Sequence, residues 1–170
     1  MPLKSQIPLT REEFKSCFDE LFDPVRNYLY YRCGDDGLST DVTQETFIKL
    51  WKKQFPYEAN RTKGLVYKMA NDALISHLRR KKVKDDHLNS LELKLELISP
   101  EKELEFKELQ AHYEHTLAQL PEKQRTVFLM NRIDELSYRE IAERLSISVK
   151  AVEKRMSSAI AFLKQKLEAR

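Results

Sequence analysis

Apolar side chains recur every third or fourth residue along most of this chain. The first such run opens on Thr10 and Glu13, a hydroxyl and a carboxylate spaced to cap a helix start reciprocally. Phe14, Phe18, Leu21, Phe22, Val25 and Leu29 follow at helical spacing; Pro24 is expected to kink that helix or start a second segment, and Gly34-Asp35-Asp36-Gly37 to end it. Ser39 or Thr40 predicts the cap of a second helix, DVTQETFIKLWKK, with Phe47, Leu50 and Trp51 inward and Asp41, Gln44, Glu45 and Ile48 towards another face. A polar loop, PYEANRTKG, precedes a third helix that starts at Leu65, whose period is kept by Val66, Met69, Ala70, Ala73, Leu74 and either His77 or Leu78, and which ends in Arg79, Arg80, Lys81, Lys82 and Lys84.

The pattern resumes further on. Ser99-Pro100 reads as an N-cap with proline in the first helical position, and Leu104, Leu109, Tyr113, Leu117 and Leu120 form a stripe expected to be buried. Pro121 opens another helix with Val127, Phe128 and Ile133 inward. Two short helices joined by a sharp turn follow. Ser137 and Glu140 make a second capping box, Ile141 and Leu145 share one face, and Ala142 is small enough for a second helix to cross closely. Ile147 is placed to plug the angle and Ser148 to cap the last helix. In that helix Val152, Met156, Ala159 and Leu163 form a buried stripe, leaving a free face of Lys150, Glu153, Lys154, Ser157 and Ser158 with Arg155 at its flank.

Long polar side chains on a helix presented by a tight turn suit readout of the DNA major groove. The same spacing also fits a helix pair whose charged face is only solvated. Residues 138–170 carry eight basic and four acidic groups, and this local excess of positive charge favours the DNA reading.

Composition narrows the class. The 170 residues include only three glycines and six prolines and are 34% charged, which predicts an all-α chain with little strand. No apolar run is long enough to span a bilayer and MPLKSQIPLTREEF lacks the core of a secretion signal, so a cytoplasmic location is expected. Cys17 and Cys33 lack metal-ligand or redox spacing, and His112 and His115 have no evident third ligand. No phosphate loop, nucleophile elbow or catalytic carboxylate pair is present, so neither an active site nor a cofactor is expected.

Charge divides the chain. Residues 1–84 carry sixteen basic and eleven acidic groups, whereas residues 85–108 carry three basic and eight acidic. A sign reversal between positive flanks marks a linker, predicting two small helical domains, 1–84 and 109–170, joined by the acidic strap 85–108, with a helix-turn-helix in the second. The third helix mixes Tyr67, Lys68, Asn71, Asp72, Ser76 and His77 ahead of its cations, a set suited to unpaired bases and phosphates. A solvated basic helix end fits that segment nearly as well.

The runs DVTQETFIKLW, LVYKMANDALISHLRRKK and LPEKQRTVFLMNRIDELSYREIAERLSISVKAVEKRMSSAIAFL, in this order and at these separations, resemble the sigma-seventy family of bacterial RNA polymerase sigma factors, specifically its extracytoplasmic-function group. The resemblance implies a non-enzymatic promoter-specificity subunit whose partners are core RNA polymerase, promoter DNA both duplex and melted, and an anti-sigma factor. Asp41, Gln44, Glu45, Phe47, Leu50 and Trp51 would form or support the surface that grips the polymerase clamp coiled coil. Residues 55–82 would melt and read the minus-ten element through Lys68, Asn71, Asp72, Ser76, His77, Arg79 and Arg80, with the loop PYEANRTKG forming a pocket for a flipped base. Residues 149–159 would read the minus-thirty-five element through Lys150, Glu153, Lys154, Arg155, Ser157 and Ser158. Leu65 stands where the family usually has Trp, and Asp72 where it usually has Asn. The competing functional classes are a stand-alone helix-turn-helix regulator and, with a metal site not evident in the sequence, a nucleic-acid enzyme.

Overall fold

The computed structural model describes residues 9–84, 91–95 and 104–168, and every regular element among them is an α-helix: α1 (Arg11–Cys33), α2 (Asp36–Lys53), α3 (Ala59–Lys84), α4 (Leu104–Ala118), α5 (Glu122–Arg132), α6 (Tyr138–Leu145) and α7 (Val149–Glu168). The chain gathers into two compact units. One takes the chain through Tyr30, then Asp36 to the end of α3, with Glu143–Ser146; the other takes Tyr31–Asp35, the linker and α4 as far as Ala142, and Ile147 onward.

In the first unit the Thr10 backbone N–H donates to Glu13 Oε2 at 2.9 Å and the Glu13 N–H to Thr10 Oγ1 at 3.2 Å, the reciprocal cap the spacing predicts. α1 runs through Pro24 as one helix of 23 residues, so of the two outcomes expected of the proline a second segment does not form. Leu21, Val25 and Leu29 are almost fully buried on either side of the proline, and tertiary packing of that stripe outweighs one lost backbone bond. Val42, Phe47 and Leu50 of α2 and Val66, Ala70 and Leu74 of α3 complete the core. Phe47 is its aromatic hub, with ring centroids 5.1 Å from Phe18 and 5.9 Å from Phe22.

Two starts differ from the sequence reading. α2 begins at Asp36, so Ser39 and Thr40 lie inside it; Ser39 is buried, and the Thr40 hydroxyl donates to the Asp36 carbonyl at 3.0 Å. The reason is Gly34, whose φ of +67° ends α1 within two residues of the next helix. A Cβ there would also fall 2.7 Å from the Glu92 carbonyl oxygen and from Leu91 Cδ1. α3 likewise begins at Ala59, making ANRTKG its first turns and shortening the loop to about Phe55–Glu58. Buried Thr62 fixes this start: its N–H donates to the Glu58 carbonyl at 2.7 Å, and its Oγ1 accepts from the Glu58 N–H at 3.1 Å.

In the second unit α7 packs chiefly on α5 and α4. Leu117, Val127, Leu129, Ile141, Val152 and Met156 are at most 1% exposed. Two residues expected inward are not: Leu109 is 52% exposed, and Ile133, the C-cap of α5, is 39% exposed. Ile133 falls just past the end of α5, where the apolar period outruns the helix. The Ser99-Pro100 cap lies outside the described residues. α4 starts at Leu104, inside the acidic stretch expected to be linker. Of that stretch Leu93 and Leu95 are buried, the Leu95 N–H donates to Glu114 Oε1 at 2.8 Å, and Gln110 Nε2 donates to the Leu95 carbonyl at 2.8 Å.

Arg125 is the polar centre of this unit. Its guanidinium, 4% exposed, donates to the carbonyls of Tyr31 (2.7 Å), Leu120 (2.8 Å), Arg32 (3.0 Å) and Ala118 (3.3 Å). Those acceptors sit at helix ends, where carbonyls lack helical partners. Burial pushes the Arg125 pKa below its ordinary value.

Candidate nucleic-acid and protein interfaces

The α2 surface begins with a segregation of faces. Val42, Thr46, Phe47 and Leu50 are buried, whereas Asp41, Gln44 and Ile48 are exposed and Glu45 is half-buried. Asp41, Gln44, Glu45, Ile48, Lys49 and Lys52 line one surface depression. Phe47 and Leu50 support this surface from beneath and cannot touch a partner. Trp51, expected inward, is instead 40% exposed on the same helix, with its ring 5.1 Å from Phe14. Glu45 is the most constrained of the set: its carboxylate accepts from Lys49 Nζ and lies 2.9 Å from His77 Nε2. Those two bonds hold the carboxyl below its ordinary pKa.

On α3 the expected site residues separate. Lys68, Asp72, Ser76, Arg79 and Arg80 are exposed and Asn71 is half-buried. His77 is turned instead towards Glu45 on α2, so its ring serves the α2–α3 contact. Tyr67, credited in the sequence with stacking capacity, is 2% exposed with its ring 5.2 Å from Tyr28; it belongs to the core. The Asn71 amide donates to Asp72 Oδ1 at 3.3 Å, which orients both side chains. Phe55, Tyr57, Asn60, Arg61 and Lys68 line one cavity that brings the short loop and the start of α3 together.

The helix-turn-helix is built by three caps. The Ser137 N–H and Oγ donate to Glu140 Oε2 at 2.8 and 2.7 Å, and the Glu140 N–H donates back to Ser137 Oγ at 3.3 Å. At the other end of α6 the Ile147 N–H donates to the Ala142 carbonyl at 3.0 Å and the Ser146 N–H to that of Glu143 at 3.3 Å, a Schellman closure. Ser146 takes the left-handed position this closure needs, at φ +53°, where glycine is usual. Ser148 then caps α7, its Oγ accepting from the Ala151 N–H at 3.1 Å. Ile147, expected to plug the angle, is half-buried.

Along α7 Val152, Met156, Ala159 and Leu163 are buried as the period predicts. Lys150, Glu153, Lys154 and Ser157 are exposed on the opposite side, and Arg155 and Ser158 are half-buried at its edges. Val149 is exposed at the head of the same helix; being apolar, it carries no polar signal in the sequence. Lys49 and Lys52 are the equivalent additions on α2, beside Ile48, which the helical period already places on the face of Asp41, Gln44 and Glu45.

Among the described residues no helix is long and apolar enough to cross a membrane, and no group of three or more potential ligands could hold a metal ion. Residues 17–83 match the family described as sigma-70 region 2, and residues 112–163 match sigma-70 region 4. The ECF RNA polymerase sigma factor SigW of Bacillus subtilis is 27% identical, covering 98% of this chain and 97% of its own. SigM of the same organism is 26% identical, covering 89% and 93%. In fold the chain is similar to the sigma factor RpoE of Bartonella quintana, solved with the anti-sigma factor NepR, at a TM-score of 0.67 and 18% identity over 92% of this chain and 98% of that one. With both regions matched in order, and with relatives aligned from end to end, the chain belongs to the sigma-70 family, in its extracytoplasmic-function group, and is a promoter-specificity subunit of RNA polymerase.

Proposed function

We propose that this subunit divides its work among three surfaces: α2 grips core polymerase, the 55–82 segment takes the separated strands of the downstream element, and α7 reads the upstream element as duplex. The functional division follows residues 1–84, the linker 85–108 and residues 109–170. On α2 the contact set is Asp41, Gln44 and Glu45, extended by Ile48 and Trp51, with Phe47 and Leu50 holding it rigid. On α3 Lys68, Arg79 and Arg80 meet phosphates while Asn71, Asp72 and Ser76 face bases; His77 acts by fixing Glu45. On α7 Lys150, Glu153, Lys154 and Ser157 face base edges, and Arg155 and Ser158 meet the backbone. The subunit acts in the cytoplasm, catalyses no reaction of its own and needs no cofactor; an anti-sigma factor is a further partner.

The observation that carries this reading is that α2 exposes Asp41, Gln44 and Ile48, and α7 exposes Lys150, Glu153, Lys154 and Ser157, each set away from a buried stripe on the same helix. A helix so built docks as a unit, either on another protein or in a groove. The test is retention of core polymerase on the immobilised full chain. Asp41→Lys is expected to weaken retention at least tenfold with an unchanged melting temperature, and Lys154→Ala to leave retention intact. Full retention by Asp41→Lys would remove the α2 assignment.

A further inference from the structure

The head of α7 carries one side chain that the polar reading of the helix does not explain. Val149 is its first residue and is 40% exposed, although the buried stripe of the same helix begins only three residues on at Val152, which is 0% exposed. Its position is held firmly. The Ile147 N–H is bonded to the Ala142 carbonyl at 3.0 Å, the Ala151 N–H to Ser148 Oγ at 3.1 Å, and a β-branched side chain has few rotamers to choose from. Its exposed neighbours on the helix, Lys150 and Glu153, are both charged.

We propose that Val149 is a specificity-determining residue that reads the 5-methyl group of a thymine in the upstream element. The proposal rests on α7 being the helix that enters the major groove. In that docking the N-terminal residues of the recognition helix lie closest to the base edges. The groove floor presents donors and acceptors from all four bases, thymine O4 among them, and a single methyl group, that of thymine. A valine set against a donor or acceptor strips its water and returns no hydrogen bond, so Val149 both attracts thymine and disfavours its alternatives.

The register follows from the helix. Glu153, one turn further on, accepts from a cytosine amino group. Residues four apart on one helix face are separated by about 5–6 Å, and stacked bases by about 3.4 Å. The thymine therefore lies within two base pairs of that cytosine, on either strand. Ile160, also exposed, is eleven residues along the helix, about 16 Å away, and lies outside the same contact.

The experiment uses the full chain bound to core polymerase, selecting from duplex libraries randomised across the upstream element and prepared once with thymidine and once with deoxyuridine. Deoxyuridine removes the methyl and leaves every hydrogen-bonding group in place. One thymine position is expected to lose about fourfold in affinity on this change, the equivalent of one buried methylene. Val149→Ala, with its circular dichroism and melting temperature unchanged, should bind thymine and uracil alike at that position and keep the remaining preferences. Glu153→Gln separates the failures. If the unsubstituted protein binds both libraries alike while Glu153→Gln still shifts the preference at one base pair, the Val149 assignment is wrong and the α7 reading stands. If Glu153→Gln also leaves every preference unchanged, both are overturned.

Discussion

Asp41 and Cys17 show how differently single residues reveal themselves. Asp41, Gln44, Glu153 and Lys154 were legible because a charged or amide side chain opposite an apolar stripe has only one side of its helix to occupy. Ser39, Thr43 and Thr46 were not: all are 0% exposed, although their polarity reads as surface. The Thr43 and Thr46 hydroxyls each donate to the carbonyl four residues back at 2.7 Å, so they satisfy themselves and α2 can be packed closely there. The base contacts proposed for Glu153 and Lys154 are tested by substitution. Glu153→Gln or Lys154→Ala should shift preference at one or two upstream positions by about 1–3 kcal/mol, whereas Arg155→Ala should weaken all sequences alike; uniform losses from all three would place the wrong face in the groove. Cys17, 2% exposed, has its thiol pushed up to about 11 by burial, with the Glu20 charge adding to it. The native thiol therefore stays protonated and should resist alkylation by iodoacetamide at pH 8 until the chain is unfolded. In the unfolded chain it ionises near 9.0, so the stability owed to its neutral form is complete below that pH and disappears as pH rises towards about 11. Rapid labelling of native Cys17 at pH 8 would contradict this.

At the scale of elements, helix existence was readable and helix ends were not. The capping boxes at Thr10 and Ser137 stand where the spacing puts them, because both partners of the bond are local. Pro24 misleads because its penalty is local while the burial of Val25 and Leu29 that offsets it comes from other helices. The start of α3 is hidden for a similar reason: ANRTKG is polar, and the bonds of Thr62 to Glu58 that make it helical leave no apolar period to read. Ser146 is a point where the fold accepts strain, since a non-glycine residue at φ +53° is disfavoured. Ser146→Gly should raise stability by about 0.5–1 kcal/mol in urea denaturation; a loss would mean that the Ser146 side chain makes a contribution of its own. Arg125→Met keeps the apolar stem and orphans the four carbonyls. It should destabilise the chain by more than about 2 kcal/mol and lower the melting temperature by several degrees, and an unchanged midpoint would show that water replaces the guanidinium.

For the whole molecule, the charge pattern and the linker together bear on when DNA is bound. The stretch 85–108 has a net charge of −5 between positive flanks; in residues 91–95 Leu93 and Leu95 are buried, and the Leu95 backbone is bonded to Gln110 and Glu114 of α4. That contact was not legible, because two leucines in an acidic segment carry no helical period and the Glu114 partner of Leu95 lies nineteen residues on. A single recognition helix makes few phosphate contacts, so its counterion-release contribution is small, and one half-site leaves little room for base contacts. On the division of surfaces proposed above, the downstream surface meets its preferred substrate only after the strands separate. Free protein should thus bind promoter duplex poorly, with the acidic linker competing for the basic surfaces, until core polymerase draws the linker away. Fluorescence anisotropy on promoter duplex at fixed salt, for the full chain with and without core enzyme, tests this most directly. Weak binding alone and tight, sequence-specific binding with core polymerase is the predicted result; tight, sequence-specific binding by the free chain would contradict it.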